Sequence, residues 1–329
     1  MTALATATMP AAIARRYGDA DAVEIADLPV PAPGPREVLL RVDAAAFNPA
    51  DVFLTRGVPR MLRLTAGLRR PRRPVRGSDV AGTVVSVGSA VTGIARGDRV
   101  FGEARGSAAR YAVSRADRIA PLPAAVLAPD AAATVMAGLA ALHGLRAGRF
   151  AAGHRVLING ASGGIGHLAA QMAVAQGGRV TAVCSTRNAG WVADLGVDRV
   201  VDYTRESVLD LDQAFDLVFD NVGNHRMRDM LRLVADGGVL LPNSGEAGPD
   251  GGAMRRVLLA RWVDLRTRGR TIASYYSAPS RADLGLLAGM LADGTLRPHL
   301  DRVVPLDRAG EALARVASRH AAGKVVVTP

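Results

Sequence analysis

Apolar and polar positions follow one another in two different rhythms along this chain, and the change of rhythm divides it. Between about residues 11 and 126, short runs such as EVLLRVDAAAF, DVAGTVVSVG, DRVFGE and ARYAVS are punctuated by Gly and Pro. That pattern predicts a compact, barrel-like β domain. From residue 127 to about 276, short apolar runs alternate with helical stretches. Strands are expected at 155–159, 179–184, 199–202, 216–220, 237–242 and 271–274. Six strands with helices between them predict an α/β fold built on a doubly wound parallel sheet. The tail carries a helical pattern, DRAGEALARVASRHAA, and then a strand, GKVVVTP. The expected domains are therefore residues 1–126 with 277–329, and residues 127–276.

The stretch RVLINGASGGIGHLAAQMAVAQGGRVTAVCSTRN holds the most specific chemistry. Val156, Leu157 and Ile158 form an apolar run bounded by turn residues, as in a buried parallel strand. Gly160, Gly163, Gly164 and Gly166 crowd the turn that follows. Leu168, Ala169, Met172 and Ala173 then fall on one face at helical spacing. The whole is a strand, glycine turn, helix and strand within roughly 30 residues, the unit that binds dinucleotides. Against G-x-G-x-x-G the matching positions are Ala161, Gly163 and Gly166, so an alanine stands for the first glycine. Gly163 would let the backbone approach a pyrophosphate, and Gly166 would let the helix pack close to the strand. Free N–H groups at the helix start, at Gly164 and Ile165, would hold the phosphates.

The end of the second strand bears on which dinucleotide binds. Asp or Glu commonly stands there for an NAD ribose. Here the residues are Cys184, Ser185, Thr186 and Arg187. Two hydroxyls and a guanidinium suit a 2′-phosphate, which favours NADP(H).

Composition narrows the class. Hydrophobic residues make up 49% of 329, enough for two cores in a soluble protein. No apolar run is long enough to span a bilayer, and MTALATATMP does not resemble a secretory signal, so a cytoplasmic location and no membrane partner are expected. Cys184 is the only cysteine, which excludes internal disulfides and cysteine-based zinc sites. Net charge is +11, nearly all of it arginine, since Lys324 is the only lysine. The local exception is PRMLRLTAGLRRPRRPVRG, with Arg60, Arg63, Arg69, Arg70, Arg72, Arg73 and Arg76. It reads as a solvated loop or as a site for an anionic substrate or acidic carrier protein. Nucleic acid is not expected, because no aromatic residues interleave the charges.

The runs VPAPGPREVLLRVDAAAFNPAD, GSDVAGTVVSVGSAV, GDRVFG, VLINGASGGIG, DLVFDNVG and GKVVV together resemble the medium-chain dehydrogenase/reductase superfamily. More narrowly, they are similar to its zinc-independent quinone oxidoreductase branch. The resemblance implies a GroES-like barrel, a Rossmann cofactor domain, a nicotinamide held in a cleft between them, and a homodimer. It implies that Asn48 and Asp51, in FNPADVF, lie at that cleft, with Asn48 touching the nicotinamide ribose or a substrate oxygen. It places Tyr203 beside the adenosine 2′-phosphate. Asn221, Gly223, Asn243 and Ser244 stand at strand ends, where ligands bind in such sheets.

Zinc alcohol dehydrogenases of the superfamily carry Gly-His-Glu where this chain has Gly77, Ser78 and Asp79. Their catalytic cysteine is also missing, and the six histidines show no ligand spacing, so no metal is expected. Without zinc, reduction of a simple ketone loses the stabilisation of its alkoxide. Conjugate addition to a quinone or an α,β-unsaturated ketone spreads the charge, and hydrogen-bond donors can stabilise it. The resemblance thus implies a quinone or enone reductase. Two departures stand against the family pattern: Phe53 replaces a common tyrosine, and Ala140 a common threonine. Tyr275 and Tyr276 are the candidate replacement donors, of which strand alternation lets only one face a cleft; Tyr276 is the candidate, and packing at a dimer interface, which the resemblance implies for this edge strand, is the other role. A zinc-independent ketone or alcohol oxidoreductase and a non-catalytic NADPH-binding protein remain the alternatives.

Overall fold

The computed structural model describes residues 7–243 and 269–329. The strands β1 (Thr8–Ile13), β2 (Glu24–Pro29) and β3 (Glu37–Phe47) come first, followed by helix α1 (Pro49–Arg56) and the short α2 (Arg63–Ala66). Then follow β4 (Asp79–Val87), β5 (Arg99–Glu103), β6 (Tyr111–Arg115), β7 (Ile119–Pro121) and α3 (Ala128–Ala147). Next are β8 (Arg155–Asn159), α4 (Gly164–Ala175), β9 (Arg179–Cys184), α5 (Thr186–Ala193), β10 (Arg199–Asp202), β11 (Phe215–Asp220) and α6 (Met227–Met230). The chain continues through β12 (Val234–Pro242), β13 (Thr271–Ile272), α7 (Arg281–Ala292), β14 (Leu300–Pro305), α8 (Ala309–Ala317) and β15 (Lys324–Thr328).

Two compact units result: residues 1–139 with 278–329, and residues 140–277. The division falls inside α3, thirteen positions beyond the composition change at 126/127.

In the first unit a seven-stranded sheet runs in the order β14-β15-β3-β4-β5-β7, with β6 paired to β3. The two returning C-terminal strands are parallel to each other, and β15 pairs antiparallel with β3. Strand β3 is buried on both faces: Val38, Leu40 and Val42 pack with Val80, Val84, Val100 and Ile119 into one core, and Leu39 packs with Ile13, Ala109 and Val113 into another.

The second unit is a six-stranded sheet, order β10-β9-β8-β11-β12-β13, with every pairing parallel. Counted within the unit this is 3-2-1-4-5-6, the doubly wound dinucleotide-binding order. Leu157, Val183, Phe215, Val218 and Leu240 fill its core. The edge strand β13 is shorter than the expected 271–274: Thr271 and Ile272 pair in register with Val239 and Leu240, and Ala273 adds one N–H bond to the Leu240 carbonyl. Strand β12 starts earlier than expected, at Val234, which pairs with Phe215 before the register shifts across Asp236–Gly238. The order reverses between β8 and β11, so their carboxyl ends form the crevice where ligands of this architecture bind.

Candidate functional site

The glycine turn after β8 separates into structural and open positions. Gly160 takes the left-handed φ of +80° that the tight turn needs, one residue before the alanine aligned with the first glycine of the motif. Ala161 itself is fully buried, its N–H bonded to the carbonyl of Val183. A Cβ on Gly166 would stand 2.2 Å from the Gly160 carbonyl oxygen, so Gly166 is required by the packing of α4 against the turn. A Cβ on Gly163 would meet only that same oxygen, at 3.3 Å. Apart from this one tight contact, nothing else of the described residues lies within 4 Å of such a Cβ. Gly163 is the N-cap of α4, and the first bond into the helix runs from His167 N to Gly163 O. The amides of Gly164, Ile165 and Gly166 precede it, at the end of a helix that attracts anions.

The neighbouring strand end is more connected than its sequence suggests. Ser185 caps α5, with Thr186 and Arg187 following it on the exposed side. Asn188, buried in the same turn, donates to Ser162 Oγ (3.0 Å) and Ser185 Oγ (3.4 Å), tying this turn to the glycine turn. Sequence reasoning missed it, because an asparagine one turn into a helix carries no signal of its own. Asp202, at the end of β10, accepts from Thr186 Oγ1 and from Thr204 N (3.0 Å) and Oγ1 (2.7 Å). Those bonds hold its carboxyl below the usual range, the Thr186 hydroxyl contributing most. The expected absence of a carboxylate was read at the end of β9 alone, and strand pairing sets one beside Thr186 from β10. Tyr203, the next residue, is exposed.

At the switch point, Asn159 Nδ2 donates to Asp220 Oδ1 (2.8 Å) and to Asn224 Oδ1 (3.0 Å). Asp220 Oδ1 also accepts from the N–H of Gly223 (2.9 Å). Asn243 Nδ2 donates to Asn221 Oδ1 at 2.8 Å. This leaves Asn221 Nδ2 buried without an acceptor among the described residues. A buried amide N–H without a partner costs on the order of 1–3 kcal/mol and points to an absent acceptor. Ser244 lies outside the described residues. The open Gly163, the helix-start amides and the orphaned Asn221 together fit a dinucleotide.

The first unit holds a buried polar cluster. Asn48, the N-cap of α1, is 3% exposed. Its Oδ1 accepts from Lys324 Nζ, and its Nδ2 donates to Asp79 Oδ2 (2.8 Å). Lys324 also donates to Phe47 O (3.2 Å) and lies 3.7 Å from Asp79 Oδ2. Asp79 accepts from Met136 N at 3.2 Å, and Asp51 accepts from Asn48 N at 2.8 Å. Burial pushes Asp51 up to about 7, with the Asn48 N–H pulling it back. Burial likewise raises Asp79 and lowers Lys324, while each charge draws the other back. Asn48 and Asp51 are thus brought together. Tyr276 stands 88% exposed in the other unit, and Tyr275 beside it packs edge-on against Phe219 with a buried hydroxyl that has no partner among the described residues.

Two family models match, the alcohol dehydrogenase GroES-like domain over residues 34–124 and the zinc-binding dehydrogenase over 195–327. The chloroplastic quinone-oxidoreductase homolog of Spinacia oleracea is 32% identical, with 95% of each chain covered. The chain belongs to the medium-chain dehydrogenase/reductase superfamily, in its quinone oxidoreductase-like branch. The chloroplastic NADPH-dependent alkenal/one oxidoreductase of Arabidopsis thaliana is 31% identical over 95% of this chain and 78% of its own. The solved quinone oxidoreductase from Coxiella burnetii superposes with a TM-score of 0.85 at 26% identity, covering 98% of this chain and all of that one.

For a member of a superfamily that includes zinc enzymes, the donor set around Asp79 decides whether a metal fits. Its carboxylate is met by an ammonium group and an amide N–H, which repel a cation. Among the described residues no group of three or more His, Cys, Asp or Glu side chains could hold a metal ion. The residues present do not fit zinc.

The cluster yields two predictions. The Asp51 carboxyl is raised from 3.8 to about 7, so its contribution to stability is full below about pH 4 and is lost as pH rises through 7. Urea unfolding across that window should show the wild type losing stability relative to Asp51→Asn as pH rises, the gap levelling above about 7. Lys324→Met should cost about 3–5 kcal/mol by leaving Asp79 buried and uncompensated. The double variant with Asp79→Asn should recover much of that loss; equal unfolding midpoints for single and double variants would show the pair to be uncoupled.

Proposed function

We propose that this chain is an NADPH-dependent, zinc-independent oxidoreductase that delivers hydride to quinones or to the activated C=C bond of α,β-unsaturated carbonyls, as a homodimer and without a nucleic-acid partner. The observation that carries the zinc-free chemistry is the Lys324–Asp79 pair at the Gly-Ser-Asp position. The nucleotide half rests on Gly163, the start of α4 and the unsatisfied Asn221 amide. The names of relatives, a quinone oxidoreductase homolog and an NADPH-dependent alkenal/one oxidoreductase, point to the same acceptors.

NADPH, when bound, supplies the hydride and leaves as NADP+. The amides of Gly164, Ile165 and Gly166 would hold the pyrophosphate beside Ala161 and Gly163. Ser185, Thr186, Arg187 and Tyr203 would face the adenosine 2′-phosphate. Asn221, Gly223 and Asn243 would border the nicotinamide. Lys324 fixes the Asn48 amide through its oxygen, and Asp79 takes one N–H. The second N–H remains to donate to the acceptor's oxygen as charge develops there. Hydride adds to the β-carbon, the electron pair of the C=C bond moves to form an enolate, and solvent protonates the α-carbon. Asp51 keeps the α1 cap in place, and Tyr276 at the surface is free to donate where an acceptor reaches it.

A specific observation favours NADH as the second reading of the cofactor. The Asp202 carboxylate beside Thr186 opposes a 2′-phosphate and suits a ribose hydroxyl.

Chelator-treated protein should oxidise NADPH with an enone and release the saturated ketone. The allylic alcohol as product would establish carbonyl reduction instead, and nucleotide binding without turnover of any enone or quinone would establish a non-catalytic protein. A pair of variants tests the nucleotide site. Arg187→Glu should weaken NADPH by roughly ten- to a hundredfold, from about 1.5–3 kcal/mol of charge-assisted bonding, and leave NADH nearly unchanged. Gly163→Val should abolish binding of both nucleotides while the fold survives, since the added Cβ asks only one carbonyl oxygen, that of Gly160, to give by a few tenths of an ångström. Equal losses with Arg187→Glu, or full affinity in Gly163→Val, would remove these residues from the site.

A further inference from the structure

The basic segment between α1 and β4 has no part in the chemistry above, yet it is held in shape. From Val52 to Ser78 the chain contains no carboxylate. A single 3-10 turn (Arg60–Leu62) runs into α2. Arg63 donates through Nε to Gly57 O (2.9 Å) and through a terminal nitrogen to Arg56 O (3.3 Å). Its guanidinium lies 4.3 Å from the centroid of the Tyr17 ring, and the Tyr17 hydroxyl donates to Gly67 O. Gly57 has φ +62°, and a Cβ there would strike the Tyr17 ring at 2.6 Å. The turn is thus clamped onto the first unit.

What this clamp displays is both apolar and cationic. Met61 is 56% exposed, and Leu64 and Leu68 are 67% exposed each, spaced as i, i+3 and i+7. Leu54 and Val58 extend the set. Arg60, Arg69, Arg70, Arg72 and Arg73 are exposed around them, and none has a carboxylate partner among the described residues. An isolated exposed apolar side chain needs no explanation, but Met61, Leu64 and Leu68 within eight residues, amid arginines without carboxylate partners among the described residues, form a patch that does.

We propose that this segment, centred on Met61, Leu64, Leu68, Arg69, Arg70, Arg72 and Arg73, docks the protein on the surface of an anionic lipid bilayer. A bilayer interface offers the two layers that the patch requires, acyl chains for the apolar side chains and negative headgroups for the guanidinium groups. Arginine stems can lie along the apolar layer while their heads reach the phosphates. An acidic protein surface would satisfy the arginines and leave the leucines in water. A nucleic acid would call for stacking aromatics, and none lies between Leu54 and Arg76. This departs from the expectation, drawn from sequence, of no membrane partner. It concerns the surface only, since among the described residues no helix is long and apolar enough to cross a membrane.

Co-sedimentation of the full chain with vesicles tests the proposal. The wild type should pellet with phosphatidylcholine mixed with phosphatidylglycerol, stay in solution with phosphatidylcholine alone, and be released near 1 M salt, where screening shortens to about 3 Å. Arg69→Gln/Arg70→Gln/Arg72→Gln/Arg73→Gln and Met61→Ser/Leu64→Ser/Leu68→Ser should each lower partitioning by at least about tenfold. Arg228→Gln/Arg232→Gln, exposed in the other unit, should not. No pelleting of the wild type, or equal loss in the control, overturns the proposal. Undiminished binding by the serine variant, together with retention on immobilised polyglutamate, overturns it in favour of an acidic protein partner. If the serine variant melts early, the glutamine variant decides alone, and its undiminished pelleting overturns the proposal.

Discussion

A buried ammonium and a buried carboxylate must be satisfied by whatever surrounds them, and in the first unit that demand draws four segments to one point. Lys324 comes from β15, Asp79 from β4, Asn48 from the junction of β3 and α1, and the Met136 amide from α3. Removing any one leaves a charge or a polar group in a dry environment, where the cost is largest. The pairing of β15 with β3 and of β3 with β4 sets the three side chains within reach, so sheet register and electrostatics depend on each other. The same pair sets an ammonium group and an amide N–H against the Asp79 carboxylate, which repel a cation there.

The second unit obeys a different constraint, the room its backbone leaves. Gly160 and Gly166 are spent on the turn and on helix packing, one through its positive φ and the other through a carbonyl 2.2 Å from any Cβ. Gly163 is needed for neither. A position where a Cβ would press on only one carbonyl oxygen, beside helix-start amides and an amide without an acceptor, is best accounted for by a ligand. The clamp of Tyr17 on Arg63 and Gly67 is a third kind of constraint, one that orders a surface instead of a core.

Much of this could be read directly from the sequence. Apolar runs at 155–159, 179–184 and 199–202 match β8, β9 and β10 to the residue, because a buried parallel strand needs a continuous apolar stretch whatever its partners. The glycine string and the absence of His from Gly77–Ser78–Asp79 are local features, and they indicate the class of chemistry without any fold. The tertiary structure decided what depends on distance in space. Asp202 reaches Thr186 only because β10 pairs with β9 in parallel, carrying a carboxylate to a strand end that seemed to lack one. Lys324 meets Asn48 across 276 positions of sequence, and no periodicity relates them. Local propensity and hydrophobic pattern report on neighbours along the chain, whereas charge pairs, orphaned amides and exposed patches are properties of what folding brings together or leaves apart.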